Sequence, residues 1–214
     1  MIVKVIATTQ PLDFEPQVLI EYAGRVCTNT LSNVGRNTER FIRQRIDEQH
    51  LGLLEHNYVT FSVAYISRAC ANQLVRHRLA SYAQRSERFS LVTKYDGTIC
   101  PDSVFDKHME DQYFGICLQA YDLYDKMIAS GINMEDARFI LPQGAETSIL
   151  VTMNLRSYLH LFEMRISPAA QWEIREMCVH MLDALLFYAP AVFVPFREQL
   201  VEKYPNLFEG DNNV

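Results

Sequence analysis

No stretch of this 214-residue sequence approaches the roughly 20 consecutive apolar residues that a membrane-spanning helix needs. The apolar run in the N-terminal MIVKVIATTQ is too short for a signal peptide. Metal-site spacing is also missing. Cys27, Cys70, Cys100, Cys117 and Cys178 are scattered and odd in number, with no CxxC or Cys/His pattern; near His50, the spacing of Glu55 and His56 does not make a metal site, and no further ligand is obvious. Scattered thiols suit a reducing cytosol, where they act as small buried hydrophobes. There is no GxGxxG, no P-loop and no GxSxG, which excludes the Rossmann fingerprint, the Walker phosphate loop and the nucleophile elbow. An excess of basic charge is absent as well, since the formal net charge of −6 argues against a general nucleic-acid coat protein. The expectation is a soluble, cytoplasmic protein without a metal site.

What is present is ordinary globular composition, 49% apolar and 21% charged, in a chain long enough to bury a substantial core. No repeat, linker or compositional shift divides it, so one α+β domain over residues 1–214 is expected. Short β-branched or alternating stretches predict strands over Ile2–Thr8, Tyr58–Ile66 and Thr147–Met153. In the second, Val59, Phe61, Val63 and Tyr65 share one face. Helical spacing predicts helices over Gln17–Val26, Glu39–Gln49, Ser67 to about Ser81, Val104–Ala129, Asn133–Phe139, Asn154–Met164 and Ala169–Tyr188. Ser167-Pro168 reads as the cap and first turn of the last of these, and Pro190 lies just beyond its end. Thr28–Asn37 and Leu91–Ser103 read as loops, and the polar tail from Glu209 to Val214 as frayed.

Charge reverses locally between Arg76 and Phe89, RHRLASYAQRSERF. Arg76, Arg78, Arg85 and Arg88 stand among His77, Ser81, Gln84 and Ser86, with Glu87 the one acid. Guanidinium forks between hydroxyls suit a phosphate or another oxyanion. A solvated basic face, or cations meeting the negative end of a helix dipole, explains the same residues. Gln73 and Arg76 share a face of the expected helix, whereas Arg78 lies about 200° around from Arg76. The two arginines therefore address one small ligand only if the helix ends between them; otherwise they serve different ligands or subunits. A second cationic set, Arg138, Asn154, Arg156, His160 and Arg165, interrupts otherwise apolar segments. A satisfied structural histidine and surface arginines are the alternative there.

Arg76-His77-Arg78, seven residues, then Ser86 resembles the RHR(x7)S signature of the flavin-dependent thymidylate synthases, and the match extends as RHRxxSxxxxSxR through Ser81 and Arg88. ARFILP at Ala137–Pro142, MNLRSYLHLFEMR at Met153–Arg165 and AAQWEI at Ala169–Ile174 are similar to the family in order and spacing. Leu54-Glu55-His56 resembles its flavin-proximal LEH stretch, and Gly24-Arg25-Val26-Cys27 its ARVS-type segment.

The resemblance implies a central, mostly antiparallel sheet flanked by long helices, a homotetramer with sites shared between subunits, and conversion of dUMP to dTMP. Methylenetetrahydrofolate would donate the carbon and FAD, reduced by NADPH, the hydride. It implies dUMP contacts from Gln73, Arg76, Gln84, Ser86, Arg88, Arg138 and Arg165, and FAD contacts from Glu55, His77, Arg78, Asn154, Arg156 and His160. Arg165 would polarise the uracil. Ser86 would orient and activate the nucleotide, since no general base is evident to make it a nucleophile. Departures from the family pattern are Ala83-Gln84 for a frequent Asn-Glu, Phe89 for Tyr, Cys27 and Gly52 where hydroxyls often meet flavin phosphates, and Leu51 at a position that is often polar. A non-catalytic nucleotide- or flavin-binding protein of the same fold is the alternative.

Overall fold

Strands form where stiff, alternating side chains predict them. They are β1 (Ile2–Thr8), β2 (Tyr58–Ser67) and, after a short β3 (Ser81–Gln84), β4 (Glu146–Asn154). The computed structural model describes residues 1–93 and 96–208, so the tail from Glu209 to Val214 and two positions of the Leu91–Ser103 stretch lie outside the described residues. The strands make one sheet in the order β1-β2-β4-β3. The Thr60 and Thr152 hydroxyls meet at 2.9 Å, and farther along β2 the Arg68 N–H reaches back to the Ala145 carbonyl at 3.0 Å, so β2 and β4 run antiparallel. Val59, Phe61 and Val63 are buried as expected. Tyr65 is not: it sits at φ 60° and is 50% exposed, and the left-handed residue passes the inward position to Ile66.

The described residues form two compact units. Unit 1 comprises Met1–Ile2, Val63–Arg76 and Tyr82–Leu150, and unit 2 comprises Val3–Ser62, His77–Ser81 and the chain from Val151 onward.

In unit 1, α3 (Arg68–Leu74) leaves β2, capped by the Ser67 hydroxyl, which accepts the Cys70 N–H at 3.0 Å. (The two preceding helices, α1 over Pro16–Thr28 and α2 over Thr38–Asp47, belong to unit 2.) One long helix over Val104–Ala129 is not what forms. A short α4 (Asp102–Phe105) closes when the His108 and Met109 N–H groups bond the Phe105 and Val104 carbonyls, with His108 at φ 54°. A new helix, α5 (Glu110–Ala129), then starts on Glu110 and Asp111, acids that favour a helix N-terminus. Cys117, Tyr121 and Tyr124 on α5 pack with Val92, Ala137 and Ala145 into this unit's core. Gly131, at φ 84°, follows, and then α6 (Met134–Ala137) and a 3₁₀ turn, Arg138–Ile140.

Gly144 marks the tightest approach in this unit. A Cβ there would stand 2.2 Å from the Tyr113 hydroxyl and 2.8 Å from the Ile99 carbonyl, two groups that hydrogen-bond each other at 2.7 Å. Gly144→Ala is therefore expected to destabilise the protein by about 1–3 kcal/mol in urea unfolding. Gly115→Ala, at a helical position with nothing within 4 Å, should stabilise by up to about 1 kcal/mol.

In unit 2, α1 (Pro16–Thr28) packs on α2 (Thr38–Asp47), and α7 (Leu155–Arg165) on α8 (Trp172–Tyr188). The Phe162 ring lies 5.9 Å from Tyr158 and 6.0 Å from Phe193, and the Tyr158 hydroxyl donates to the Val59 carbonyl at 3.1 Å. Two expectations fail here. Ser167-Pro168 does not start α8: the Ala170 N–H bonds the Ser167 carbonyl in a turn, and the cap is Gln171, whose Oε1 accepts the N–H groups of Glu173 and Ile174. Pro190, read as a stop, opens a further helix, α9 (Pro190–Lys203), because proline at the first helical position loses no intrahelical bond. Val192, Phe193 and Leu200 bury its inner face.

The loop expected over Thr28–Asn37 is tied down. Glu21, fully buried on α1, accepts Arg25 Nε at 2.7 Å, the Gly35 N–H at 3.0 Å and the Thr38 hydroxyl at 2.7 Å.

Candidate functional site

The basic stretch is not helical. α3 ends at Leu74, before Arg76, and the Tyr82 hydroxyl bonds the Leu74 carbonyl at 2.9 Å. The chain then passes through unit 2 as His77–Ser81 and returns as β3; the Arg85 N–H bonds the Ser148 carbonyl of β4 at 2.9 Å. Pairing at the sheet edge overrides the helical spacing that the sequence displays. The helical phase angle between Arg76 and Arg78 therefore does not apply. Both are exposed, Arg76 in unit 1 and Arg78 in unit 2.

Unit 1 holds Gln73, Arg76, Gln84, Ser86, Arg88 and Arg138. Glu135 links two of them: its carboxylate pairs with Arg88 Nε at 2.7 Å, and its backbone carbonyl accepts Arg138 Nε at 3.2 Å. Arg88 is 58% exposed and lies 5.3 Å over the Phe89 ring, so its fork remains open to solvent. The Ser86 Oγ accepts the Arg88 N–H at 3.2 Å, and the Ser86 carbonyl accepts the Ser90 hydroxyl at 2.6 Å. Among the described residues no carboxylate or imidazole bonds the Ser86 hydroxyl, which leaves it a donor for a ligand and not an activated nucleophile. Gln84 Nε2 is buried with no hydrogen-bond partner among the described residues, a donor whose isolation costs energy unless a ligand accepts from it.

Arg85 has a different task. Its guanidinium grips Asp96 at 2.9 and 3.0 Å and the Leu91 carbonyl at 3.2 Å, and that bond holds the Asp96 carboxyl below the usual carboxylate range. It shapes the turn.

A cleft of about 370 Å³ in unit 1 is lined by Arg138 and by residues that sequence reasoning did not single out, among them Arg68, Asn72, Glu87 and Gln143. Arg68 pairs with Glu87 at 3.3 Å and donates to the Arg85 carbonyl at 3.2 Å. One signal for it was available: a cation on the first residue of a helix opposes the helix dipole and so is not there to stabilise the helix.

Unit 2 holds Glu55, His77, Arg78, Asn154, Arg156, His160 and Arg165. Arg156 and His160 both face outward on α7, and Arg156 forms an ion pair with Glu55. Asn154 Oδ1 caps α7 by accepting the Ser157 N–H at 2.8 Å, which commits its oxygen and not its NH₂ group. Arg165 ends α7 with its Nε 3.0 Å from His77 Nε2, and the His77 and His160 rings meet edge-on at 6.2 Å. Burial, then the charge of Arg165 and then His160, push the His77 pKa down to about 4, so the imidazole is neutral at physiological pH. Cys178 on α8 lies near enough to feel Arg165, but burial pushes its thiol up and it stays protonated. Arg78, Arg156, His160 and the Asn154 amide are donors on unit 2 of the kind that could hold a pyrophosphate-bearing cofactor such as FAD.

The family model described as thymidylate synthase complementing protein matches residues 4–191. A flavin-dependent thymidylate synthase of Pyrococcus furiosus is 38% identical over 172 residues, covering 78% of this chain and 70% of that protein. One of Geobacter sulfurreducens is 38% identical over 192 residues, covering 84% and 81%. The crystal structure of a UMP/dUMP methylase, PolB, from Streptomyces cacaoi, bound with 5-Br dUMP, superposes with a TM-score of 0.81 over 92% of this chain and 94% of that one, at 22% identity, a likeness of fold. A family model that takes in both basic constellations, with relatives this similar over most of their own length, establishes that the chain belongs to the thymidylate synthase complementing protein family.

Proposed function

We propose that this chain is a flavin-dependent thymidylate synthase, converting dUMP to dTMP with methylenetetrahydrofolate as carbon donor. The observation that carries the reading is the 38% identity, over 78% of the chain, to a relative named for that activity. FAD, held by the unit 2 residues, would supply the redox chemistry between NADPH and the transferred carbon.

The chain's own residues divide the work. Gln73, Arg76, Gln84, Ser86, Arg88 and Arg138 of unit 1 hold dUMP, with Gln84 Nε2 donating to the nucleotide. Glu55, His77, Arg78, Asn154, Arg156 and His160 of unit 2 hold FAD. Arg165 faces the uracil. Making C5 of uracil nucleophilic builds negative charge towards O4, and a fixed guanidinium stabilises that charge more in the transition state than in the ground state. Ser86 orients the nucleotide. The chain acts as one domain, residues 1–214, in a cytoplasmic homotetramer. In support, Ile116, Leu118 and Leu123 leave exposed apolar surface on α5 for a second copy to cover, all five cysteines are free thiols, and no helix of the described residues is long and apolar enough to cross a membrane.

FAD titration followed by flavin fluorescence is the first test: quenching with saturation is expected, and a folded protein that never binds FAD would remove this reading. Arg88→Ala should raise KM for dUMP by about tenfold, the loss of one charge-assisted contact to the nucleotide, with kcat little changed. An unchanged KM would take Arg88 out of the nucleotide site.

A further inference from the structure

We propose that His77 is a positioning residue for Arg165: its Nε2 takes the Arg165 Nε–H, so that the guanidinium presents its two terminal NH₂ groups to the pyrimidine. This rests on the role given to Arg165 above and adds a residue that acts through it. A guanidinium is planar, so fixing Nε fixes the plane of the whole fork, and an Arg side chain otherwise samples many rotamers. The 3.0 Å contact supplies that fix from outside α7, on a segment, His77–Ser81, that folds with unit 2 although its chain neighbours on both sides belong to unit 1.

The contact has a chemical requirement. Arg165 Nε can only donate, so His77 Nε2 must be the unprotonated nitrogen and Nδ1 must carry the ring proton. A protonated ring would have no acceptor to offer. Burial, the Arg165 charge and His160 all act on His77, and each disfavours the imidazolium. The pair is therefore built to persist throughout the physiological pH range, and His77 contributes no titration to the activity there.

Two side chains separate the acceptor from the ring. Glutamine can place its Oε1 near the position of Nε2, whereas asparagine ends near Nδ1 and reaches no acceptor to Arg165. At saturating FAD, with the flavin affinity of each variant measured separately by fluorescence quenching, His77→Asn should lower kcat by about 10²-fold with little change in KM for dUMP. His77→Gln should recover kcat at least about tenfold relative to His77→Asn. In an Arg165→Lys background, which lacks the planar fork, His77→Asn should cost little more. Histidine-selective ¹⁵N NMR of the wild-type protein should find Nδ1 protonated and Nε2 bare between about pH 5 and 8. Equal losses in the Asn and Gln variants, additive losses in the Arg165→Lys background, a loss fully explained by weaker FAD binding, or a proton on Nε2 would each overturn the proposal. The NMR result does not depend on catalysis. A wild-type protein that makes no dTMP would end the functional reading while leaving the His77–Arg165 contact tested on its own.

Discussion

Replacing Arg165 by alanine is expected to lower kcat for dTMP formation by about 10²–10³-fold, the cost of removing one fixed donor from a developing oxyanion. FAD should remain bound, because the proposed flavin donors, Arg78, Asn154, Arg156 and His160, are separate side chains. The fold should survive too. Arg165 is half-buried at the C-terminal end of α7, and the imidazole that accepts its Nε–H, His77, is neutral, so no charge is left buried and unpaired. Neighbouring Cys178 cannot take over, since a cysteine side chain is neutral or negative and burial keeps this one a neutral thiol. Arg165→Lys keeps the charge but loses the planar fork and should fall between wild type and alanine. Steady-state kinetics beside the flavin absorbance spectrum separates the two effects. Wild-type turnover in Arg165→Ala would remove the role assigned here.

Glu21→Ala is expected to cost about 3–5 kcal/mol of stability, the penalty for breaking a buried pair from one side. The carboxylate is fully buried and accepts three hydrogen bonds. Its Arg25 partner is only 14% exposed and lies 4.5 Å over the Phe41 ring. Removing it strands the guanidinium and releases both Gly35 and Thr38, so the Thr28–Asn37 loop should also gain amide exchange. For a protein of this size the loss corresponds to a Tm lower by roughly 10 °C. Burial raises the Glu21 pKa, but the bonds from Thr38, Arg25 and Gly35 outweigh it and the net shift is downward. A carboxyl depressed in the folded state adds stability above its unfolded pKa of about 4.3, and that stability is lost as pH falls through the folded value. Glu21→Gln should therefore be less stable than wild type at neutral pH and close the gap in acid, as denaturant titrations at several pH values would report.

Period and punctuation made much of this fold legible in the sequence. β-branched alternation located β1, β2 and β4, and helical spacing located α1, α2, α7 and most of α8. What escaped depends on contacts distant in sequence. The helical spacing through Arg76 lost to edge pairing with β4, and no local rule announces that Ser81–Gln84 has a strand to join. Pro190 is ambiguous by nature, since proline both ends helices and starts them, and only the burial of Val192, Phe193 and Leu200 decides. At the candidate site the motif residues were legible as a string, and the division of Gln73 and Arg76 from His77 and Arg78 between two units was not. Nor was the bond between His77 and Arg165, 88 positions apart.

The most direct measurement is release of the C5 hydrogen of dUMP by purified, FAD-loaded protein, followed together with dTMP formation. The account predicts release that requires both methylenetetrahydrofolate and NADPH and that matches the dTMP made. A folded protein that binds FAD and dUMP, yet releases no C5 hydrogen and makes no dTMP under these conditions, would contradict it and leave a nucleotide- and flavin-binding protein without the reaction.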